Sequence, residues 1–554
     1  MLLALLLNCS HTRAATAEAA PDLSAKLLDL NADSAKARKA AIEALAQTGD
    51  SRLLAFFDDY AKGNTYTWKN QIVIGVDSGD PKETKETKHL KILNALTREV
   101  LIDKDAAPEG LILKSAMKEV DVSNRERIAV RDAVVRLRLN DPDLDARLNA
   151  VVKVGDGDNT ALIAALKARR EIETNAKVHA AIDESIALLT LSAPDSTPEE
   201  LTQAVTRLGE LHSGRAISKL KELKTTTKLT QLQQPIDNAV ASIESHESFG
   251  RGVSYVFSGL SLGSILVLMA LGLSIIFGLM GVINMAHGEL MMIGAYATYL
   301  TQRGFEAAMA SQWLPASAFN WYFVCAIPIS FLAAATVGYL MERLIIRHLY
   351  GRPLETLLAT YGISLILIQI VRLQFGDNIA VNSPTWLQGG AEIVQGVILP
   401  YNRLFIIVFC IVCVSGMYLI IGKTSMGLLL RATTQNRTMA AALGVQTRKV
   451  DGYTFALGAG MAGLAGCALT LIGGVTPDMG QNYIVGSFMV VVTGGVGKLA
   501  GAILAGMTLG CLNKVLEPSV QAVWANVLIL LTVIVFIQWR PSGFFPAKGR
   551  HADV

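Results

Sequence analysis

Asn284, His287 and Glu289 bring an amide, an imidazole and a carboxyl together where a long uncharged run ends and the next apolar stretch begins. An ionisable side chain at membrane depth is costly and usually functional, so the three could line or gate a path for a solute. They could also cap a junction between two helices, or lie hydrated at the membrane surface. Asp478, in a loop between spans, is accounted for by solvation. The Cys410-x-x-Cys413 spacing would suit a redox pair or half a metal site, but no His or acid stands beside it and its flanks are apolar, so it reads as packing. Gly458-x-Gly460-x-x-Gly463 has the spacing of a dinucleotide loop, yet it lies in an uncharged run with no soluble strand–turn–helix unit around it. Gly497-Lys498 lacks the rest of a phosphate loop: Val492 stands where the first glycine belongs and Leu499 where the hydroxyl belongs. His89, His179 and His212 read as surface or packing histidines. No catalytic residue, metal centre, ATP site or resident cofactor is therefore expected in this chain.

The elements that must hold these residues follow from an uneven charge. Residues 1–251 carry 34 Lys+Arg and 37 Asp+Glu, about 28% charged, whereas residues 252–554 carry 16 and 10, about 9%. Soluble chains run near a quarter charged, so the second half must lie in a membrane and the first must be soluble. Nucleic acid is excluded as a partner, because the basic residues of the second half are scattered between apolar runs. Uncharged runs cover 252–288, 307–341, 356–371, 404–422, 452–477, 479–497, 499–513 and 518–539. A hydrocarbon core needs about 20 residues per helix, which gives roughly eight membrane helices, with 479–513 either two short helices or a re-entrant pair. The glycines of 458–466 fit dense helix packing or, alternatively, broken helices lining a path.

Positive residues orient the spans. Lys423, Arg431, Arg437, Arg448 and Lys449 crowd one connection with no acid between them, and Arg343, Arg347 and Arg352 another. Both are expected in the cytoplasm together with the tail at 546–554, which places residue 251 outside. The start of the chain agrees with that side. Met1–Leu7 is a short apolar run followed by Ala17-Glu18-Ala19 before Pro21, the order of a secretory signal over 1–19. Residues 20–250 then form an exported domain, mostly helical by period. In it Ala44–Asp50, Ala150–Asp156 and Ala204–Glu210 share a small residue, a helix end at glycine and an acid, a pattern that fits stacked HEAT-like hairpins. The stretch 64–90, with Gln71–Val76, reads as a short strand and an exposed loop. The expected fold class is thus all-α: a helical soluble domain followed by a polytopic membrane bundle over 251–545.

The stretch from Gly259 through Asn284, His287, Gly288 and Glu289 closely resembles the start of branched-chain amino-acid-type ABC importer permeases. So do Arg431-Ala432 with Ala441 and Gly444, the run Gly494-Gly495-Val496-Gly497-Lys498-Leu499-Ala500-Gly501, and Arg540-Pro541-Ser542-Gly543. The resemblance spans about 252–545. Within that family, the long N-terminal extension, Pro384-Thr385-Trp386-Leu387 and Leu399-Pro400-Tyr401-Asn402-Arg403-Leu404 look most like urea transporter permeases; branched-chain amino acids or another small amide are the alternative substrates. The resemblance implies a bacterial inner-membrane transport subunit, not an enzyme. It would work with a second permease, two cytoplasmic ATPase subunits that use the ATP, an exported substrate-binding protein and membrane lipid. It also implies a short coupling helix ending at Gly444, with Arg431, Ala432, Arg437 and Ala441 facing the ATPase, where the two arginines could pair with acids or simply obey the positive-inside rule. The rival classes are an ATP-independent channel and a membrane-anchored receptor.

Overall fold

The computed structural model describes residues 23–32, 34–77, 89–101, 111–120, 122–226, 230–394, 397–541 and 543–545. The expected leader over 1–19 and the tail over 546–554 lie outside the described residues. The chain divides into two compact units, Met1–Glu247 and Ser248–Val554.

In the first unit, α1 (Leu23–Leu28), α2 (Ala35–Gln47) and α3 (Arg52–Lys62) precede β1 (Thr65–Trp68), β2 (Gln71–Asp77), β3 (His89–Asn94), β4 (Leu111–Leu113) and β5 (Lys118–Glu119). The strands pair antiparallel in the order β4-β3-β2-β1-β5. The β1–β2 hairpin turns through Lys69 and Asn70, both at positive φ (44° and 60°), with Trp68 opposite Gln71; two left-handed residues match the twist of paired strands. The sequence pattern predicts only one short strand here. The sheet is larger because Tyr66, Val73, Leu90, Ile92 and Ile112 bury a common apolar cluster with Met117. The fold is otherwise helical, as expected.

Phe56, Phe57 and Tyr60 of α3 lose all exposure in a core shared with α2 and α4 (Asn124–Leu139), and burying each phenylalanine stabilises by about 1.5–3 kcal/mol. The succession continues through α5 (Leu144–Asp156), α6 (Ile163–Ile172), α7 (Ala176–Ser192), α8 (Pro198–Glu210) and α9 (Ala216–Thr226), with α7 packed on α5, α6 and α8. Ser123 with Glu126, and Thr197 with Glu200, start α4 and α8 as capping boxes, each satisfying backbone N–H groups that the helix leaves open. Of the three glycines read as helix ends, Gly49 is left-handed at φ 71°. Gly155 and Gly209 instead lie inside the last turns of α5 and α8, where a Cβ would fall 2.5 Å from Ser185 Oγ and 3.1 Å from Ala239 Cα. They are points of close packing rather than turns.

α10 (Thr230–Met280) runs through the division of the chain, and the second unit continues it with α11 (His287–Ala310), α12 (Tyr322–Leu344), α13 (Pro353–Phe375), a small hairpin β6 (Gly390–Val394) and β7 (Val397–Pro400), and α14 (Tyr401–Lys423). Two short helices, α15 (Ser425–Gln435) and α16 (Arg437–Ala442), lead to α17 (Thr447–Leu469), α18 (Met479–Gly494) and α19 (Leu499–Trp539), the last broken at Gln521. Among the described residues, six helices are long and apolar enough to cross a membrane, α19 counted as one. α17 is the central element, packed along α11 and α12, and glycine lets it be. A Cβ on Gly294 would lie 2.1 Å from the Gly463 carbonyl oxygen, and one on Gly466 would lie 1.9 Å from that of Met291. Backbones touch where side chains are missing, which is how membrane helices gain dispersion contact.

Candidate functional site

The junction between α10 and α11 is a buried, non-helical return. Gly281, at φ 68°, ends α10, and residues 281–286 are irregular. His287 then opens α11 with its Nε2 3.1 Å from the Met269 carbonyl oxygen. Met269 lies three turns before the end of α10, about 16 Å back along the axis at 1.5 Å per residue, a distance that six extended residues can cover. The segment therefore doubles back beside α10 and carries Asn284, His287 and Glu289 into the packed interior. All three are at most 1% exposed, which removes the hydrated-surface reading and leaves the capping and path readings.

Some of their capacity is used for structure. Asn284 Oδ1 accepts from the Ala286 N–H at 3.1 Å, the Met285 N–H donates to Thr360 Oγ1 at 3.1 Å, and the Ser364 hydroxyl meets the Glu289 carboxyl. The rest is not used. Asn284 Nδ2, His287 Nδ1 and Glu289 Oε2 are buried with no protein partner. Because a carbonyl only accepts, His287 donates from Nε2, and a neutral ring leaves the buried Nδ1 as an unused acceptor. Each of the three thus keeps unused hydrogen-bonding capacity, with His287 turned to Met269 of α10 and Glu289 to Ser364 of α13. Thr360 and Ser364 of α13, which complete this set, carry no signal in the sequence beyond being hydroxyls within an apolar run.

The second group of expected residues lies on α15 and α16. Thr424 caps α15 through the Gly427 N–H, Asn436 caps α16 through the Met439 N–H at 2.9 Å, and Gly444, at φ 89°, stops the helical path. The two arginines each have a contact within the chain. Arg431 Nη1 donates to the Ile421 carbonyl oxygen at 2.5 Å, and Arg437 pairs with Asp451 of α17 while lying 5.1 Å over the Tyr350 ring. Ala432 is half-buried and Ala441 exposed. Among the polar residues this region exposes stand two large apolar ones: Met439 and Leu443, four apart, are 57% and 78% exposed. Sequence reading missed that pair, although the spacing could have flagged it. Beside it, Met426, Leu429, Leu443, Val445, Val450 and Tyr453 line a groove of about 690 Å3.

Comparison with known proteins places residues 255–537 in the family described as the permease component of the branched-chain amino acid transport system. The high-affinity branched-chain amino acid transport system permease protein BraD of Pseudomonas aeruginosa is 29% identical over 292 residues, 52% of this chain and 93% of its own. The LivH permease protein of Salmonella typhimurium is 29% identical over 304 residues, covering 54% and 96%. A probable branched-chain amino acid transport permease protein of Methanocaldococcus jannaschii is 24% identical, covering 50% and 88%. No solved structure matches the chain.

Proposed function

This chain belongs to the branched-chain amino acid transport permease family, and from that premise we propose that it is a permease subunit of an ATP-driven importer for branched-chain amino acids or a closely related small solute. It is a transport subunit of the inner membrane, crossing it several times. In this reading it forms the solute path with a second permease, takes solute from an exported substrate-binding protein, and is driven by two cytoplasmic ATPase subunits that alone use ATP. The observation that carries the reading is the short helix α16 with exposed Met439 and Leu443 on a basic, acid-free connection. An ATP-independent channel or an anchored receptor needs no such docking helix. Asn284, His287 and Glu289 line or gate the path, and α15–α16 with Arg431, Ala432, Arg437, Ala441 and Gly444 is the coupling element. ATP-driven closure of the ATPases then shifts the bundle between two packings that open to opposite sides.

The relatives' names favour branched-chain amino acids. Urea is a second reading, favoured by Pro384–Leu387 and Leu399–Leu404 and by the exported first unit, which lies ahead of the family match at 255–537. Uptake of labelled leucine and labelled urea in cells with and without this chain, its ATPase and binding protein present, decides between them. Loss of leucine uptake alone supports the amino-acid reading and loss of urea uptake alone the urea reading. No loss of either, or purification without a co-eluting ATPase, overturns the importer.

A further inference from the structure

α19 is a hairpin of two arms, 499–520 and 522–539, joined at Gln521, whose φ of 65° and ψ of 156° leave the helix three residues after Pro518. Between the arms, α10 and α18 lies a groove of about 510 Å3, with Leu262 and Leu266 of α10 on one wall, a volume in the range of small-molecule sites. It shares no residue with the Asn284 region. Its polar lining is dense for a membrane bundle: Asn482, Tyr483, Asn513, Lys514, Glu517 and Asn526. Along the second arm most of the other exposed residues are lipid-grade, including Val523, Trp524, Leu530 and Leu531.

Asn513 Nδ2 donates to Asn526 Oδ1 at 2.6 Å, and Lys514 pairs with Glu517. Once that hydrogen bond is made, Asn513 keeps its carbonyl oxygen and Asn526 its amino group. Lipid offers such groups no partner, so they face water or a solute. The hairpin begins after Lys498 and ends at Arg540, which puts its tip and these amides at the opposite end of the bundle from those two cations. We propose that this groove is a solute-binding station at the outer mouth of the path, taking small solutes that carry N–H donors next to a planar carboxamide or carboxylate group. The amides read the N–H and C=O edges; Lys514 and Glu517 set the field around them. The proposal rests on the importer reading and extends it to named residues.

The test uses cells holding the complete importer and measures uptake of labelled leucine and urea for Asn526→Leu, Asn513→Leu and the double variant, with membrane levels checked. Replacing both partners of a hydrogen bond by apolar groups of the same shape removes a purely structural penalty, whereas a lost solute contact stays lost. Each single variant is expected to slow uptake of the transported solute about tenfold at equal membrane level, and the double variant is expected not to recover. Recovery in the double, or singles that match the unaltered chain, overturns the station. If the leucine variants do not reach the membrane, Ala522→Cys decides the matter. A membrane-impermeant thiol reagent should label it, and saturating solute should slow that labelling several-fold; unprotected labelling overturns the proposal. If the unaltered importer carries neither solute, the importer reading fails first and the station falls with it.

Discussion

Arg437, the first residue of α16, rests its guanidinium on the buried carboxylate of Asp451 in the second turn of α17, with Nη1 3.4 Å from Oδ1. The same guanidinium covers Tyr350, whose hydroxyl lies 3.3 Å from Glu342 Oε1 near the end of α12. A displacement of α16 is thus delivered to α17 and α12 together, two helices that pack along each other. Removing one partner of a buried pair leaves the other charge uncompensated. Arg437→Ala is therefore expected to reduce uptake at least tenfold per unit of membrane protein. Arg437→Ala with Asp451→Asn should restore the membrane level without restoring uptake. Uptake that returns with the level would make the pair a stabilising element only.

Glu289→Gln keeps the shape of a side chain that is 1% exposed and removes its ionisable oxygen. Glu289 Oε2 has no protein partner, so the fold loses no bond when it becomes an amide. Uptake is expected to fall severalfold while the amount of chain in the membrane stays constant. Normal uptake in a quantitative assay would take Glu289 out of the path.

Why some of this was legible and some was not follows from distance along the chain. Asn284, His287 and Glu289 stand out because polar types are rare in an uncharged run, and the return that buries them needs only the six residues that begin with Gly281. Asp451 gave no sign of pairing with Arg437, since fourteen residues and the α16–α17 turn must fold before they meet. Asn513 and Asn526 are likewise joined only because Gln521 breaks the helix between them. The sheet of the first unit was underestimated for the same reason: β4 and β5 have three and two residues and draw their stability from β3 and β1, not from any pattern of their own. Gly155 and Gly209 misled in the other direction, because the sequence does not distinguish a glycine needed for a turn from one needed for contact.

Gly466 gives the sharpest contrast between those two uses. Its Cβ would sit 1.9 Å from the Met291 carbonyl oxygen, whereas a Cβ at Gly362 of α13 meets nothing within 4 Å. Gly466→Ala must push α17 away from α11 and is expected to remove most of the chain from the membrane. Gly362→Ala should leave the level unchanged or slightly higher, since alanine favours a helix over glycine by up to about 1 kcal/mol. Immunoblots of membranes from cells expressing each variant measure both, and equal levels would show that the α11–α17 contact is not this close.

Acid should weaken the first unit, and Asp183 is one reason. Burial raises the pKa of the Asp183 carboxyl, but hydrogen bonds from Arg170 and Arg207 outweigh it and hold the group below its ordinary value of 3.8. Glu173 is similar: burial works upward, and Arg169, the Asn175 N–H and Arg147 bring it below 4.5. With the folded pKa lowered, the unfolded chain binds more protons as pH falls, so the contribution is fully present above about pH 5 and is lost through and below the carboxylate range. The melting temperature of this unit, followed by circular dichroism on the full chain in detergent, should be flat from pH 8 to about 5.5 and should fall below about pH 4. Asp183→Asn should lower it at pH 7, because Arg170 and Arg207 lose a shared partner, and should flatten the acid slope. A melting temperature that rises on acidification would reverse the sign of the argument, and an unaltered slope in the variant would assign the effect to other carboxylates.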